Sequence, residues 1–276
     1  MISSGKRQNL GTAYYEKKNI SRNHKSARRL YHTMTQKIIL SKTAQPELIT
    51  YLGSLGYQVE PFGPIENVQE PLRCHPEMLH CRLNRDTVFT GDPARLSPAY
   101  PGDIIYNACS TGKFFIHNLK YTAPELLGKV EELGLIRVNV SQGYAKCSNC
   151  VVGEDAIITY DRGIAKAADA AGMDVLVIEP GHVDLPGYDT GFIGGASGLV
   201  TDLRTHGDHH GVSAQDLPAP DAMQPAPATP SPQILVFNGD LSAHPDYRAI
   251  TDFASEHGVG VKFFADWKLT DIGSII

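Results

Sequence analysis

Two residues in this chain pair a reactive side chain with a neighbour that tunes it. His75 stands directly before Pro76, which favours an extended or turn conformation for it. An imidazole there titrates near neutral pH and can serve as a general base. Cys147 follows Lys146, and a neighbouring ammonium lowers a thiol pKa and makes a better nucleophile. Both types also have plain structural roles, His as a hydrogen-bonded side chain and Cys as a small buried hydrophobe. Cys147 and Cys150 form a C-x-x-C, and Cys74, His75, His80 and Cys81 supply further soft ligands. A zinc site that uses Cys147 and Cys150 with Cys74 and Cys81 is therefore an alternative. Against it, CSNCVV reads as running into a strand rather than as a metal-binding turn, and no metal is assigned. No G-x-G-x-x-G follows a strand and no Walker A motif is present, so no nucleotide and no other cofactor is expected.

The elements that must position these residues repeat. Four times the chain writes an apolar strand, a helix opened by a polar turn, a glycine, and a second apolar strand. The helix-closing glycines are Gly56, Gly134, Gly172 and Gly258, where a left-handed residue is needed. Gly134 to Gly172 spans 38 residues, Gly56 to Gly134 spans 78, and Gly172 to Gly258 spans 86. The first long interval predicts a hidden fifth unit over Thr87–Gly112, with strands at TVFTG and DIIYNAC. The second predicts one unit plus an insertion. Pro46, Pro124 and Pro245 are expected in helix first turns, where a missing N–H costs nothing. Asp92, Asn118, Asp161 and Asp240 end first strands and are expected as helix caps. Each unit then enters a loop and another short strand: MLHCRL, SNCVVG, GASGLV and the terminal DIGSII. That last strand lacks a following unit, and pairing with KIILS at Lys37–Ser41 would supply it.

Composition sets the class. The 276 residues are 42% hydrophobic and contain no run of about 18 apolar residues. No signal-peptide pattern opens the chain, and an odd count of five cysteines favours reduced thiols. A cytoplasmic location away from membranes is expected. The net charge of −5 hides an asymmetry: residues 1–36 carry +7 and the remainder −12. The basic stretch 1–36 reads as a disordered extension, with Met34 as an alternative start; nucleic acid is not an expected partner of the domain that follows, residues 37–276. The Pro-, Ala- and His-rich segment 202–232 reads as a mobile insertion, with His206, His209 and His210 in a solvated loop.

The phrases AIITYDRGIAKAADAAG, QGYAKCSNCVV, GFIGGASGLV with ILVFNGD, and LTDIGSII resemble the penteins. These are the guanidino-group-modifying enzymes: deiminases, dimethylarginine hydrolases and amidinotransferases. The likeness is greatest to an uncharacterised bacterial family assigned to that fold. It implies an α/β, five-fold pseudosymmetric β/α-propeller, closed by pairing of the N- and C-terminal strands. It also implies a central pocket fed by equivalent loops of each unit. Those positions hold Glu77 and its neighbour His75, Asn107, Gln142, Tyr144, Lys146 and Cys147, Asp189, Gly194, Gly195 and Ser197, and Asp271 and Ser274. In such a pocket Asp189, Asp271 and Glu77 could hold a cation, with His75 and Cys147 as candidate catalytic groups. The glycine pair Gly194–Gly195 would allow close backbone approach to a ligand, or serve a tight turn.

The departure from the resemblance lies in the last unit. There the enzymes carry their nucleophilic cysteine, and this chain has Asp271-Ile272-Gly273-Ser274. Their partner histidine would fall near Tyr188 and Asp189. No cysteine follows Cys150. The expected function is therefore a divergent protein acting on a small polar molecule, guanidinium- or amide-bearing among the choices. A non-catalytic module that binds a ligand or partner is the alternative. The sequence leaves the oligomeric state open.

Overall fold

The computed structural model describes residues 36–206 and 231–276. The expectations for residues 1–35, including Met34 as a start, and for the centre of the insertion at 207–230, with His209 and His210, lie outside the described residues. The described residues belong to one compact unit.

The four repeats are β-α-β units. β1 (Lys37–Ser41) leads through α1 (Pro46–Ser54) to a parallel partner, β2 (Gln58–Phe62). β6 (Phe114–His117), α2 (Pro124–Glu132) and β7 (Ile136–Asn139) repeat it. So do β9 (Ala156–Thr159), α4 (Arg162–Ala170) and β10 (Asp174–Val177). The fourth is β12 (Gln233–Phe237), α5 (Tyr247–Glu256) and β13 (Val259–Lys262). The closing glycines have φ of +97° at Gly56, +66° at Gly134, +89° at Gly172 and +71° at Gly258. That conformation costs other residues 1–2 kcal/mol or so, which is why the sequence repeats glycine there. Pro46 and Pro124 open their helices, but Pro245 sits in the turn before α5. Asp161 caps α4 by accepting from the Gly163 and Ile164 N–H groups at 2.8 and 2.9 Å. Asp92 and Asp240 cap short 3-10 turns in the same way. Asn118 instead donates across to the Ser141 carbonyl at 3.0 Å.

Three units gain an antiparallel third strand. β5 (Cys109–Ser110) joins β6, β8 (Cys150–Gly153) joins β9, and β11 (Ser197–Thr201) joins β12. The fifth sheet is a hairpin of β3 (His80–Arg82) and β4 (Val88–Thr90). The expected fifth unit fails beyond β4. Residues 91–108 hold three prolines and a 3-10 turn, and only Cys109–Ser110 of the second stretch is a strand, paired antiparallel to β6.

The five-fold β/α-propeller is overturned by this topology. The described residues form five small mixed or paired sheets, two of two strands and three of three, and none of these curls or closes. Strands of two to five residues leave too little ladder to carry pairing from one sheet into the next. DIGSII forms no strand. Ile39 and Ile276 exchange both backbone hydrogen bonds, but they join the chain ends locally and do not close a sheet.

Among the described residues the core falls into four apolar groups. One packs α5 and β12 against β8 and β9 through Phe237, Leu241, Ile250 and Ile158. Another seats the C-terminal Ile272 and Ile275 against Ile38, Leu40, Leu48 and Leu52. Each fully buried Leu or Ile contributes roughly 1.5–3 kcal/mol. Among the described residues no helix is long and apolar enough to cross a membrane.

Candidate functional site

The loops that precede the outer strands meet in the interior. His75 is extended, with φ −85° and ψ 111°, and Pro76 opens a 3-10 turn that carries Glu77 inward. Asn107 lies in the turn before β5. Cys147 sits in α3 (Ala145–Ser148), a single helical turn before β8. Gly194 and Gly195 precede β11, and Asp271–Ser274 lie near the chain end.

Glycines permit the convergence. A Cβ on Gly195 would overlap the Asp271 carboxylate, and one on Gly194 would overlap the carbonyls of Asn149 and Lys146. A Cβ on Gly273, whose φ is +88°, would overlap the His75 backbone. The close approach that the glycine pair allows is thus to the protein's own chain.

Cys147 Sγ donates to Glu77 Oε1 at 2.9 Å, and Asn107 Nδ2 donates to Cys147 Sγ at 3.1 Å. Asn107 Oδ1 accepts from the Lys146 N–H at 3.0 Å, which fixes the turn that carries the thiol. His75 Nδ1 lies 3.6 Å from Glu77 Oε1 and 3.7 Å from Asp271 Oδ1, ion-paired with both rather than hydrogen-bonded. Asp271 accepts from the Phe192 and Gly273 N–H groups, both at 3.0 Å. Lys146 Nζ turns away, to Ser274 Oγ at 3.1 Å and the Gly194 carbonyl at 3.3 Å. Ser274 Oγ donates to the Gly194 carbonyl at 2.8 Å. Among the described residues Ser274 is the one non-glycine with positive φ, +65°.

Burial dominates the electrostatics. Glu77 is fully enclosed, and His75, Cys147 and Asp271 are 2–3% exposed. Burial pushes the Cys147 thiol well above its ordinary range, and the Glu77 and Asp271 charges add to the rise. Lys146 therefore does not activate it, contrary to the sequence expectation: its ammonium is committed to Ser274 and Gly194. Burial pushes Asp271 up to about 6, against the pull of His75 and with the push of Glu77. Burial alone would lower His75, but the Glu77 and Asp271 carboxylates outweigh it and hold the imidazole above its usual value. Glu77 runs the other way. Burial would raise it, while His75 and the Cys147 hydrogen bond bring it below the usual carboxylate value. The site thus sets a thiol shifted toward its protonated form against an imidazole whose affinity for a proton is raised by the two acidic side chains.

Aromatic side chains border this cluster. Phe192, whose N–H holds Asp271, stacks on Tyr160 with centroids 5.7 Å apart, and its ring lies 6.3 Å from that of Tyr144. Burial raises the Tyr160 hydroxyl, and Asp161 and Asp271 add to the rise, so this ring lies within electrostatic reach of the site. Tyr144 donates to Asp103 Oδ2 at 2.5 Å, a second wholly enclosed carboxylate. These three rings are half-buried, in contrast to the enclosed acids.

Three expected site residues stand apart. Asp189 is exposed and lines a surface cleft of about 490 Å³ with Trp267 and Lys268. Gln142 bonds Asp161 and the Tyr144 N–H. Ser197 is buried at the start of β11, beside Cys150. The cysteine quartet also fails: among the described residues the potential metal ligands that gather are His75, Glu77 and Cys147, without Cys74, Cys81 or Cys150. All five cysteines are free. Asp103 and Tyr160 are site neighbours that sequence reasoning missed, because both lie outside the equivalent loops; Phe192 falls within the loop from Asp189 to Ser197 that repeat equivalence pointed to, without being singled out.

No curated protein and no solved structure matches this chain. A family model matches residues 89–215 and 228–276, which takes in Asn107, Lys146, Cys147, Gly194, Gly195, Asp271 and Ser274 but neither His75 nor Glu77. With that share of its length matched, the chain belongs to a family of unknown function, DUF6873.

Proposed function

We propose that the protein binds a small organic cation, of the guanidinium, amidine or ammonium type, at the cluster of His75, Glu77, Cys147 and Asp271. The observation that carries this reading is the pairing of two buried carboxylates with one imidazole as the facing charge, beside the Tyr144–Phe192–Tyr160 rings. Carboxylates take guanidinium groups in a forked, charge-assisted geometry, and aromatic faces attract the same cations. The motif resemblance to guanidino-group-modifying enzymes points to the same ligand class, though it no longer extends to the fold. Five free cysteines suit a reducing, cytoplasmic setting.

A bound cation would also alter Cys147. The carboxylate charges that keep the thiol protonated would be offset, and the thiol would move toward thiolate, the nucleophilic form. Chemistry at Cys147 then requires the ligand. A purely binding role is the second reading, favoured by a thiol that is 2% exposed and protonated.

The test is calorimetry and thermal shift on chelator-treated protein with agmatine, arginine and guanidine as probes. At least one should bind to the wild type and fail to bind to Glu77→Gln and Asp271→Asn. Absence of binding by all probes at millimolar concentration, or equal binding by both variants, would sink the reading.

A further inference from the structure

We infer that His75, Glu77 and Cys147 form a binding site for a divalent metal ion of the zinc class, with the Asp271 carboxyl group beside it. One donor atom from each of the first three lies within 4.8 Å of the others. The separations are 2.9 Å from Cys147 Sγ to Glu77 Oε1, 3.6 Å from His75 Nδ1 to Glu77 Oε1, and 3.7 Å from His75 Nδ1 to Asp271 Oδ1. Ligands at about 2.0–2.3 Å from a tetrahedral zinc ion stand roughly 3.3–3.7 Å from one another. The His75–Glu77 edge has that spacing, and the Cys147–Glu77 edge is shorter, drawn in by the shared proton.

A further observation points to an ion independently of the spacing. His75 Nδ1 and Glu77 Oε2 are buried and have no hydrogen-bond partner, a condition that interiors avoid unless something else satisfies the atom. The donor set excludes other ions by its chemistry. One thiolate, one imidazole and carboxylate oxygens suit zinc, cobalt or iron, whereas magnesium and calcium take oxygen alone.

The supporting shell is in place. Asn107 Nδ2, now a donor to the Cys147 sulfur, would stabilise a thiolate, and the Phe192 and Gly273 N–H groups orient the Asp271 carboxylate. Partners of this kind set ligand geometry and affinity. Binding releases the Cys147 proton and, where His75 is charged, the His75 proton as well, so that sulfur and nitrogen each give the ion a lone pair. No bond beyond these changes. The inference stands apart from the organic-cation reading. Metal and organic cation would compete for the same carboxylates, and each is measured without the other present.

The experiment treats the full chain with a chelator and titrates it with Co²⁺. One equivalent should produce a near-ultraviolet thiolate-to-cobalt charge-transfer band and the visible bands of a four-coordinate ion. Zn²⁺ should bleach both. Cys147→Ser should lose the charge-transfer band, while Cys74→Ser should keep it. Should Cys147→Ser fail to fold, X-ray absorption on the Zn²⁺-loaded wild type gives the answer: one sulfur and three nitrogen or oxygen neighbours support the site. A missing charge-transfer band in the wild type, its survival in Cys147→Ser, or a sulfur count other than one would overturn it.

Discussion

Cys147 Sγ donates to Glu77 Oε1 at 2.9 Å, across seventy residues of sequence. The bond ties the turn before β8 to the turn before β3 and keeps a proton on the thiol. A cysteine that follows a lysine is thus governed by a carboxylate far away in the chain.

The first consequence concerns reactivity. In ligand-free, metal-free protein near pH 7, a short iodoacetamide pulse should label Cys74, which is partly exposed, and spare Cys81, Cys109, Cys147 and Cys150, which are buried. Peptide mapping reads the result. Glu77→Gln removes one of the charges that hold the thiol up, so its Cys147 should react faster than the wild-type residue at the same pH. Rapid labelling of Cys147 in the native wild type would show that the enclosure or the protonation is wrong.

Stability should fall as pH rises out of the mildly acid range. His75 has a folded pKa above its unfolded value, so its contribution is complete below about pH 6.5 and is lost as pH climbs through the folded value. Asp271, raised to about 6, loses stability in the same direction, between roughly pH 4 and pH 6. Glu77 has the opposite sign, and its contribution is lost only as pH falls below the usual carboxylate range. The melting temperature of chelator-treated protein, measured from pH 5 to 9, should decline above about pH 6.5 in the wild type. The decline should be shallower in His75→Gln, and parallel curves would refute this assignment.

Gly195→Ala should destabilise the fold by about 2–4 kcal/mol, since the added methyl overlaps the buried Asp271 carboxyl group. Gly134→Ala tests the contrast. Nothing lies within 4 Å of its added Cβ, so its cost should come from the φ of +66° alone, about 1–2 kcal/mol. Urea denaturation of both variants separates the two causes.

A chain ending at Asp271 should not fold cooperatively. The deletion removes Ile272, Ile275 and Ile276, all buried, and the paired hydrogen bonds between Ile276 and Ile39. Loss of a buried isoleucine costs about 2–5 kcal/mol, so three exhaust a typical stability of about 5–15 kcal/mol. A melting temperature within a couple of degrees of the intact chain would show that the C-terminal segment is peripheral.

By itself the sequence determined the local units. Apolar runs, capping aspartates and left-handed glycines at Gly56, Gly134, Gly172 and Gly258 act over a few residues, so the four β-α-β units can be read directly. Repeat equivalence likewise pointed to the loops that hold His75, Glu77, Asn107, Cys147, Gly194 and Asp271. Only the tertiary structure decided what those units build and what the loops do. Sheet closure depends on backbone pairing between segments far apart, and strands this short pair within five separate sheets instead. The state of Cys147 was equally out of reach, because Lys146 is adjacent in sequence yet bonds Ser274 and Gly194, while Glu77 and burial set the thiol. Charge acts through distance and desolvation, and both are fixed by packing, not by adjacency along the chain.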